Sequence, residues 1–200
     1  IPPVQPRQRG GSEAREQIRQ PDFRVADPQA SAAITARQLL QHTSGIPRGA
    51  PRARGANLTL QDHVEALADV RLAHPPGAVH EYASPNYQVL GALVERVAGQ
   101  RFADYLQQHV FAPLDMRHGA AAPEPIARGH RYWFGWPLAT NTKQEHDRLP
   151  TAALVASAQD LAHFMQAQLN DGRYGASRIL SAAGIQKMHA PGAPGAGFSY

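Results

Sequence analysis

Apolar residues recur at helical spacing along most of the chain after Ile34, and Gly, Pro and polar residues fill the breaks between the repeats. The strongest pattern follows Ser84. Tyr87, Leu90 and Val94 fall on one helical face, with Val89, Leu93 and Val97 beside it, a stripe wide enough to lie inside a protein. Ser84 is a favoured N-cap, Pro85 suits the first helical position, and Gly99 stops the element. Phe102, Tyr105, Leu106 and Val110 repeat at the same spacing until Pro113. Three capping boxes mark further helix starts: Thr35 with Gln38, Thr59 with Asp62, and Ser157 with Asp160. The first predicts a short helix to about His42 that ends in a left-handed turn at Gly45. The second opens a stripe of Val64, Leu67 and Val70, to about Leu72. The third opens one of Leu161, Phe164, Met165 and Leu169, stopped by Asp171-Gly172. Ser181 caps a last short helix through Ile185 and Met188.

Between these lie turns and loops. Residues 46–56 and 119–129 read as loops, and Pro75-Pro76-Gly77 as a tight turn before a brief extended segment, Ala78–Tyr82. Tyr132-Trp133-Phe134 predicts a short strand, residues 135–150 a polar connection, and Pro191–Gly197 a loop. Residues 1–33 lack firm periodicity and read as a loosely ordered lead-in with one short helix near Ser12–Gln20. No internal repeat is evident.

Composition narrows the possibilities. Two hundred residues, 42% of them hydrophobic, suit one domain or a large piece of one. No apolar run is long enough for a membrane-spanning helix. The absence of cysteine removes disulfides, thiol catalysis and cysteine-ligated zinc. The net charge is +4, and 18 of the 20 cationic side chains are Arg. They are spread along the whole chain, which favours a solvated surface over an anion-binding module. Arg48, Arg52 and Arg54 do cluster in one loop, but without interleaved aromatics, so no nucleic-acid partner is read. Ten histidines invite a metal site, yet none pair at ligand spacing on one predicted helix, and no metal is assigned. Phosphate-binding glycine loops are absent, so no nucleotide cofactor is implied.

The segment Tyr82-Ala83-Ser84-Pro85-Asn86-Tyr87 carries the candidate chemistry. It sets a phenol and a hydroxyl at the mouth of a helix. A tyrosine hydroxyl can act as general base and then acid, and a serine hydroxyl can donate to a substrate carbonyl. Taken alone the segment is short, and a structural reading leads: Tyr82 a core aromatic at a strand end, Ser84 an N-cap. No serine is followed three residues later by lysine, so a Ser-x-x-Lys nucleophile is missing from this sequence.

The order of segments adds to this. Ile34-Thr35 through Leu39-Leu40-Gln41-His42-Thr43-Ser44-Gly45-Ile46-Pro47 resembles the "HTSG" segment of the serine β-lactamase-related family, which groups class C β-lactamases, D-alanyl-D-alanine carboxypeptidases and esterases. Pro76-Gly77, Tyr82-Ala83-Ser84-Pro85-Asn86-Tyr87 and Leu90-Gly91 resemble its "PG…YSN-x-x-Y-x-LLG" segment. Phe111-Ala112-Pro113-Leu114-Asp115-Met116, and Ser157-Ala158-Gln159-Asp160-Leu161 with Leu169-Asn170-Asp171-Gly172, continue the likeness, which covers roughly residues 21–200. The resemblance implies an α/β, β-lactamase/transpeptidase-like fold, here incomplete: residues 34–200 as the central, mainly helical part, with few short strands, both ends missing and an apolar face left exposed. It implies acyl transfer from an amide or ester of a small molecule or peptide to a serine, giving an acyl-enzyme, with Tyr82 catalytic, and no cofactor. Ser84 stands where the family carries asparagine, so Ser84, or Asn86 two residues on, would bind substrate. Helix geometry turns Asn86 away from the site. His42 is read as loop structure. An inactive relative that binds cell-wall peptide or a protein partner is the alternative. Export to the periplasm or beyond is implied by the resemblance alone.

Overall fold

The computed structural model describes residues 23–55, 57–121, 129–140, 149–152 and 154–192. The helix expected near Ser12–Gln20 lies outside them, as does most of the Pro191–Gly197 loop. Among the described residues, regular structure is chiefly helical, with three short two-stranded pieces.

Order begins earlier than the periodicity indicates. Within the lead-in, Phe23 and Val25 are buried and helix α1 spans Pro28–Ala33. Asp27 starts it, its carboxylate accepting the Gln29 N–H at 2.8 Å with Pro28 behind it. The Ala26 N–H reaches the Val70 carbonyl at 2.9 Å and ties this segment to the core. Six residues with no buried apolar position leave no helical stripe for a sequence reading to find.

Helix α2, Ala36–Leu40, starts in the expected capping box: Thr35 Oγ1 accepts the Gln38 N–H, and Gln38 Oε1 accepts the Thr35 N–H. It ends at Leu40 rather than near His42, because His42 itself takes a left-handed backbone, φ 52°. Gly45, φ 82°, makes a second reversal, and a Cβ there would collide with the His74 carbonyl. The Thr59–Asp62 box starts α3, Leu60–Glu65, after which the chain turns, with Leu67 and Val70 still inward.

Helix α4, Pro85–Ala98, packs on α2 and α3 and ends at Gly99. Its buried face differs from the expected stripe. Pro85, Asn86, Gln88, Val89, Gly91 and Ala92 are buried, Tyr87, Leu90 and Val94 are half-buried, and Val97 is 80% exposed. Close approach decides this: a Cβ on Gly91 would strike the Pro150 ring, so small residues, not the large ones, mark the contact line. Ile34, Leu39, Ile46, Leu60, Val64, Leu67 and Val89 fill the first core. Each side chain of this kind contributes about 1.5–3 kcal/mol when fully buried.

Helix α5, Phe102–Leu106, runs into a wide π turn, Gln107–Phe111, where the Ala112 N–H reaches back to the Gln107 carbonyl at 3.0 Å. Phe111, Leu114 and Met116 then join Ala167 of α6, Ala158–Leu169, in a second core. The Ser157–Asp160 box caps α6 as expected. Its stripe divides: Phe164 packs against the second core, while Leu161, Met165 and Leu169 stand 53%, 60% and 79% exposed, an uncovered apolar face of the expected kind. Helix α7, Ala182–His189, is capped by Ser181.

Strand β1, Ala120–Ala121, pairs antiparallel with β4, Leu154–Val155, and β5, Arg173–Tyr174, with β6, Ser177–Arg178. The expected strand at Tyr132 is present as β2, His130–Trp133. The polar connection expected after it is in part its partner, β3, Trp136–Ala139. Phe134 and Gly135, both at positive φ, make the two-residue turn that lets the strands pair. The extended segment before Tyr82 forms no ladder; its Glu81 N–H instead reaches the His42 carbonyl at 2.9 Å.

Candidate active site

The HTSG loop and the Tyr82–Tyr87 segment, some forty residues apart in sequence, are locked together by buried polar groups. His42, Thr43 and Ser44 are 5%, 3% and 0% exposed, unusual for three consecutive polar residues. Each takes part in a hydrogen bond to another segment or to the loop itself. Ser44 Oγ donates to Asn86 Oδ1 at 2.7 Å and accepts the Ile46 N–H at 3.2 Å. Asn86 Nδ2 donates to His42 Nδ1 at 3.0 Å, and the Ala83 N–H points at the same nitrogen from 3.3 Å. The Gly77 N–H meets the Thr43 carbonyl at 2.6 Å, and the Ala73 N–H the Gly45 carbonyl at 2.8 Å.

Two N–H donors converging on Nδ1 require that nitrogen to be unprotonated. Burial, and then the neighbouring His80, push the His42 pKa below the ordinary histidine value, which agrees with that geometry. The neutral ring also lies against Tyr82, centroids 4.7 Å apart and planes tilted by 44°, and against Tyr87, 5.2 Å apart and tilted by 32°. Tyr87 donates its hydroxyl to the Leu40 carbonyl at 3.3 Å. His42 thus fixes the direction of the Tyr82 ring and, through the Ala83 N–H, the backbone between Tyr82 and Ser84.

Tyr82 is not a core aromatic. One side of its ring lies on His42 and the residue is 51% exposed, with no hydrogen bond to its hydroxyl among the described residues. Ser84 is not the helix cap its position suggested. Its backbone is already helical, φ −53° and ψ −38°, so its hydroxyl makes no cap hydrogen bond. The Ala83 carbonyl takes the Asn86 N–H instead, at 3.1 Å. Ser84 lines a cavity of about 510 Å³ shared with Arg52, Arg54, His63, Gln88 and Thr151. A larger cavity, about 690 Å³, lies beside α1 and residues 71–76 and holds none of the candidate residues.

Asn86 requires a correction. It is 0% exposed and both ends of its amide are engaged by Ser44 and His42, so it braces the Tyr82–Tyr87 segment against the HTSG loop and is not open to a ligand. Sequence reasoning placed His42 in the loop but missed its grip on the Tyr82 segment. The signal available was the run of three polar residues between Leu40 and Ile46, which has to be satisfied from elsewhere in the chain.

Residues 16–199 match the family model described as Beta-lactamase. Penicillin-binding protein 4 of Amycolatopsis lactamdurans is 32% identical over 180 residues, covering 84% of this chain and 47% of that protein. Protein flp of Staphylococcus aureus (strain MW2) is 29% identical over 158 residues, 75% of this chain and 32% of that protein. The chain therefore spans about half the length, or less, of these curated relatives. Among solved structures, the D-stereospecific amidohydrolase from Streptomyces sp. superposes with a TM-score of 0.65 at 21% identity, over 80% of this chain and 52% of that one, a likeness of fold.

Proposed function

The chain belongs to the Beta-lactamase family, whose members are serine hydrolases of amides and esters, and we propose that it supplies the proton-transfer and substrate-binding half of such an active site, in a protein whose Ser-x-x-Lys lies outside these 200 residues. The observation that carries this is the half-exposed Tyr82, held by ring contact with the neutral His42 while its hydroxyl stays open to a reactant. A core aromatic would be enclosed, and a surface tyrosine would have no reason to be held so firmly.

In this reading the attacking serine hydroxyl adds to the carbonyl, and its proton passes by way of Tyr82 Oη to the departing nitrogen or oxygen. The acyl-enzyme that remains is resolved by water. Ser84 Oγ, released from capping, hydrogen-bonds the substrate carbonyl or amide from the cavity wall. Its shorter reach than asparagine leaves room for a bulkier acyl side chain or a bridging water. Arg52 and Arg54 on the same cavity attract a substrate carboxylate. In this reading the substrates are peptidoglycan peptides or β-lactams, and the protein works outside the cytoplasmic membrane.

The test uses the complete gene product. It becomes covalently labelled by a fluorescent penicillin or hydrolyses an activated ester, and Tyr82→Phe lowers kcat by roughly 10²- to 10⁴-fold. Reversing charge at Arg52 and Arg54 raises KM for carboxylate-bearing substrates and leaves kcat for a neutral ester intact. A complete protein that neither labels nor turns over ester, yet retains cell-wall peptide, would assign the chain to an inactive binding relative.

A further inference from the structure

The hairpin of β2 and β3 carries large apolar side chains on both faces and at its tip, and is open on all of them. Its register pairs Arg131 with Leu138, Tyr132 with Pro137 and Trp133 with Trp136. Alternation puts Trp133, Trp136, Leu138 and Arg131 on one face and Tyr132, Pro137, Ala139 and His130 on the other, so each face is apolar towards the tip and carries one polar side chain, Arg131 or His130, away from it. Tyr132 and Trp136 are each 74% exposed and Trp133 62%, while Phe134 at the tip reaches 89%. Every residue of both strands is exposed. The open face of α6 is different in kind: it is one-sided, and Phe164 and Ala167 of the same helix pack inward. A one-sided face suits another protein layer. A wedge that is apolar on two sides suits a medium that surrounds it.

The turn gives a second observation. Phe134 has φ 46° and Gly135 φ 86°. That pair of conformations is filled without strain by Asn-Gly, and a bulky aromatic is disfavoured in the first position. The Phe134 ring meets Trp133 edge-on, centroids 5.3 Å apart, which is little packing in return. A strained, solvent-facing aromatic points to a use outside the chain's own fold. Charge completes the pattern. From Gly129 to Thr140 there is Arg131 and no acidic residue.

We propose that this hairpin inserts into the interfacial zone of an anionic lipid bilayer. Trp133, Phe134, Trp136 and Tyr132 enter the boundary between headgroups and acyl chains, and Arg131, further from the tip, meets lipid phosphate. No helix among the described residues is long and apolar enough to cross a membrane, and interfacial binding needs none.

The two tryptophans of these 200 residues are Trp133 and Trp136, so the part of the complete protein's emission that is lost in the Trp133→Phe, Trp136→Phe double variant reports on the hairpin. Titration with vesicles of equimolar phosphatidylcholine and phosphatidylglycerol shifts the emission to the blue, and brominated acyl chains quench it. Phe134→Asn keeps both reporters and improves the turn, yet weakens vesicle binding by at least about tenfold. Arg131→Glu weakens it by roughly tenfold, less at high salt. Emission unmoved by vesicles overturns the proposal. A blue shift already present without lipid and dependent on protein concentration also overturns it and assigns the hairpin to a second copy of the chain. An equal response to pure phosphatidylcholine overturns the anionic class of lipid.

Discussion

The junction of the HTSG loop with the Tyr82–Tyr87 segment and the hairpin at residues 130–139 handle their side chains in opposite ways. At the junction, Ser44, Asn86 and His42 Nδ1 are buried and hydrogen-bonded to one another, so a strained histidine at φ 52° is over-determined by its surroundings. At the hairpin, apolar side chains are exposed and a strained phenylalanine at φ 46° is held by little more than its turn. The same backbone departure therefore marks rigidity in one place and outward presentation in the other. The lesson is that strain acquires meaning from what surrounds it.

Four substitutions sharpen the contrast, in falling order of effect. Gly45→Ala forces a Cβ onto the His74 carbonyl in a left-handed backbone and lowers unfolding free energy by about 3–5 kcal/mol, read by denaturant titration. A loss below 1 kcal/mol would show that the junction yields. Asn86→Ala strands the Ser44 hydroxyl and leaves a void, lowering stability by about 2–4 kcal/mol in the same assay. His42 supplies a pH signature. Its folded pKa is depressed below 6.5, so between that value and its folded pKa the unfolded state binds more protons. The His42 contribution is thus complete above pH 6.5 and is lost as the pH falls through the folded pKa; His42→Gln removes this part of the pH dependence. Identical slopes in variant and parent would count against a buried neutral ring. Phe134→Asn, by contrast, raises stability by about 0.5 kcal/mol or less, because the turn is relieved and no core contact is lost. A marked destabilisation would mean that the tip packs within its own chain.

Much of the local structure was legible because it is encoded locally. Thr35 with Gln38, Thr59 with Asp62 and Ser157 with Asp160 each cap a helix as their spacing implies. What escaped depends on partners distant in sequence. Ser84 looks like a cap, but tertiary placement had already made its backbone helical. Asn86 looks available, but Ser44 and His42 take both ends of its amide. Strand β3 escaped because Trp136-Pro137-Leu138-Ala139 is exposed on both faces and so lacks the alternation that betrays a half-buried strand. The stripe on α4 was misplaced because Gly91 and Ala92, not the large residues, make the closest approach.

The π turn at Gln107–Phe111 carries its own consequence for how this protein tolerates change. Such a turn holds one residue more than an α-helical path requires, and its wider winding lets the helix before it and the chain after it keep their faces despite the extra residue. Deleting one residue within Gln107–Val110 would let an ordinary helix run through and leave Phe111 at nearly the same angle around the axis. Scanning single deletions across 102–112 by unfolding midpoint would reveal the slack as a tolerance for losing one residue inside the turn that does not extend to losing one outside it.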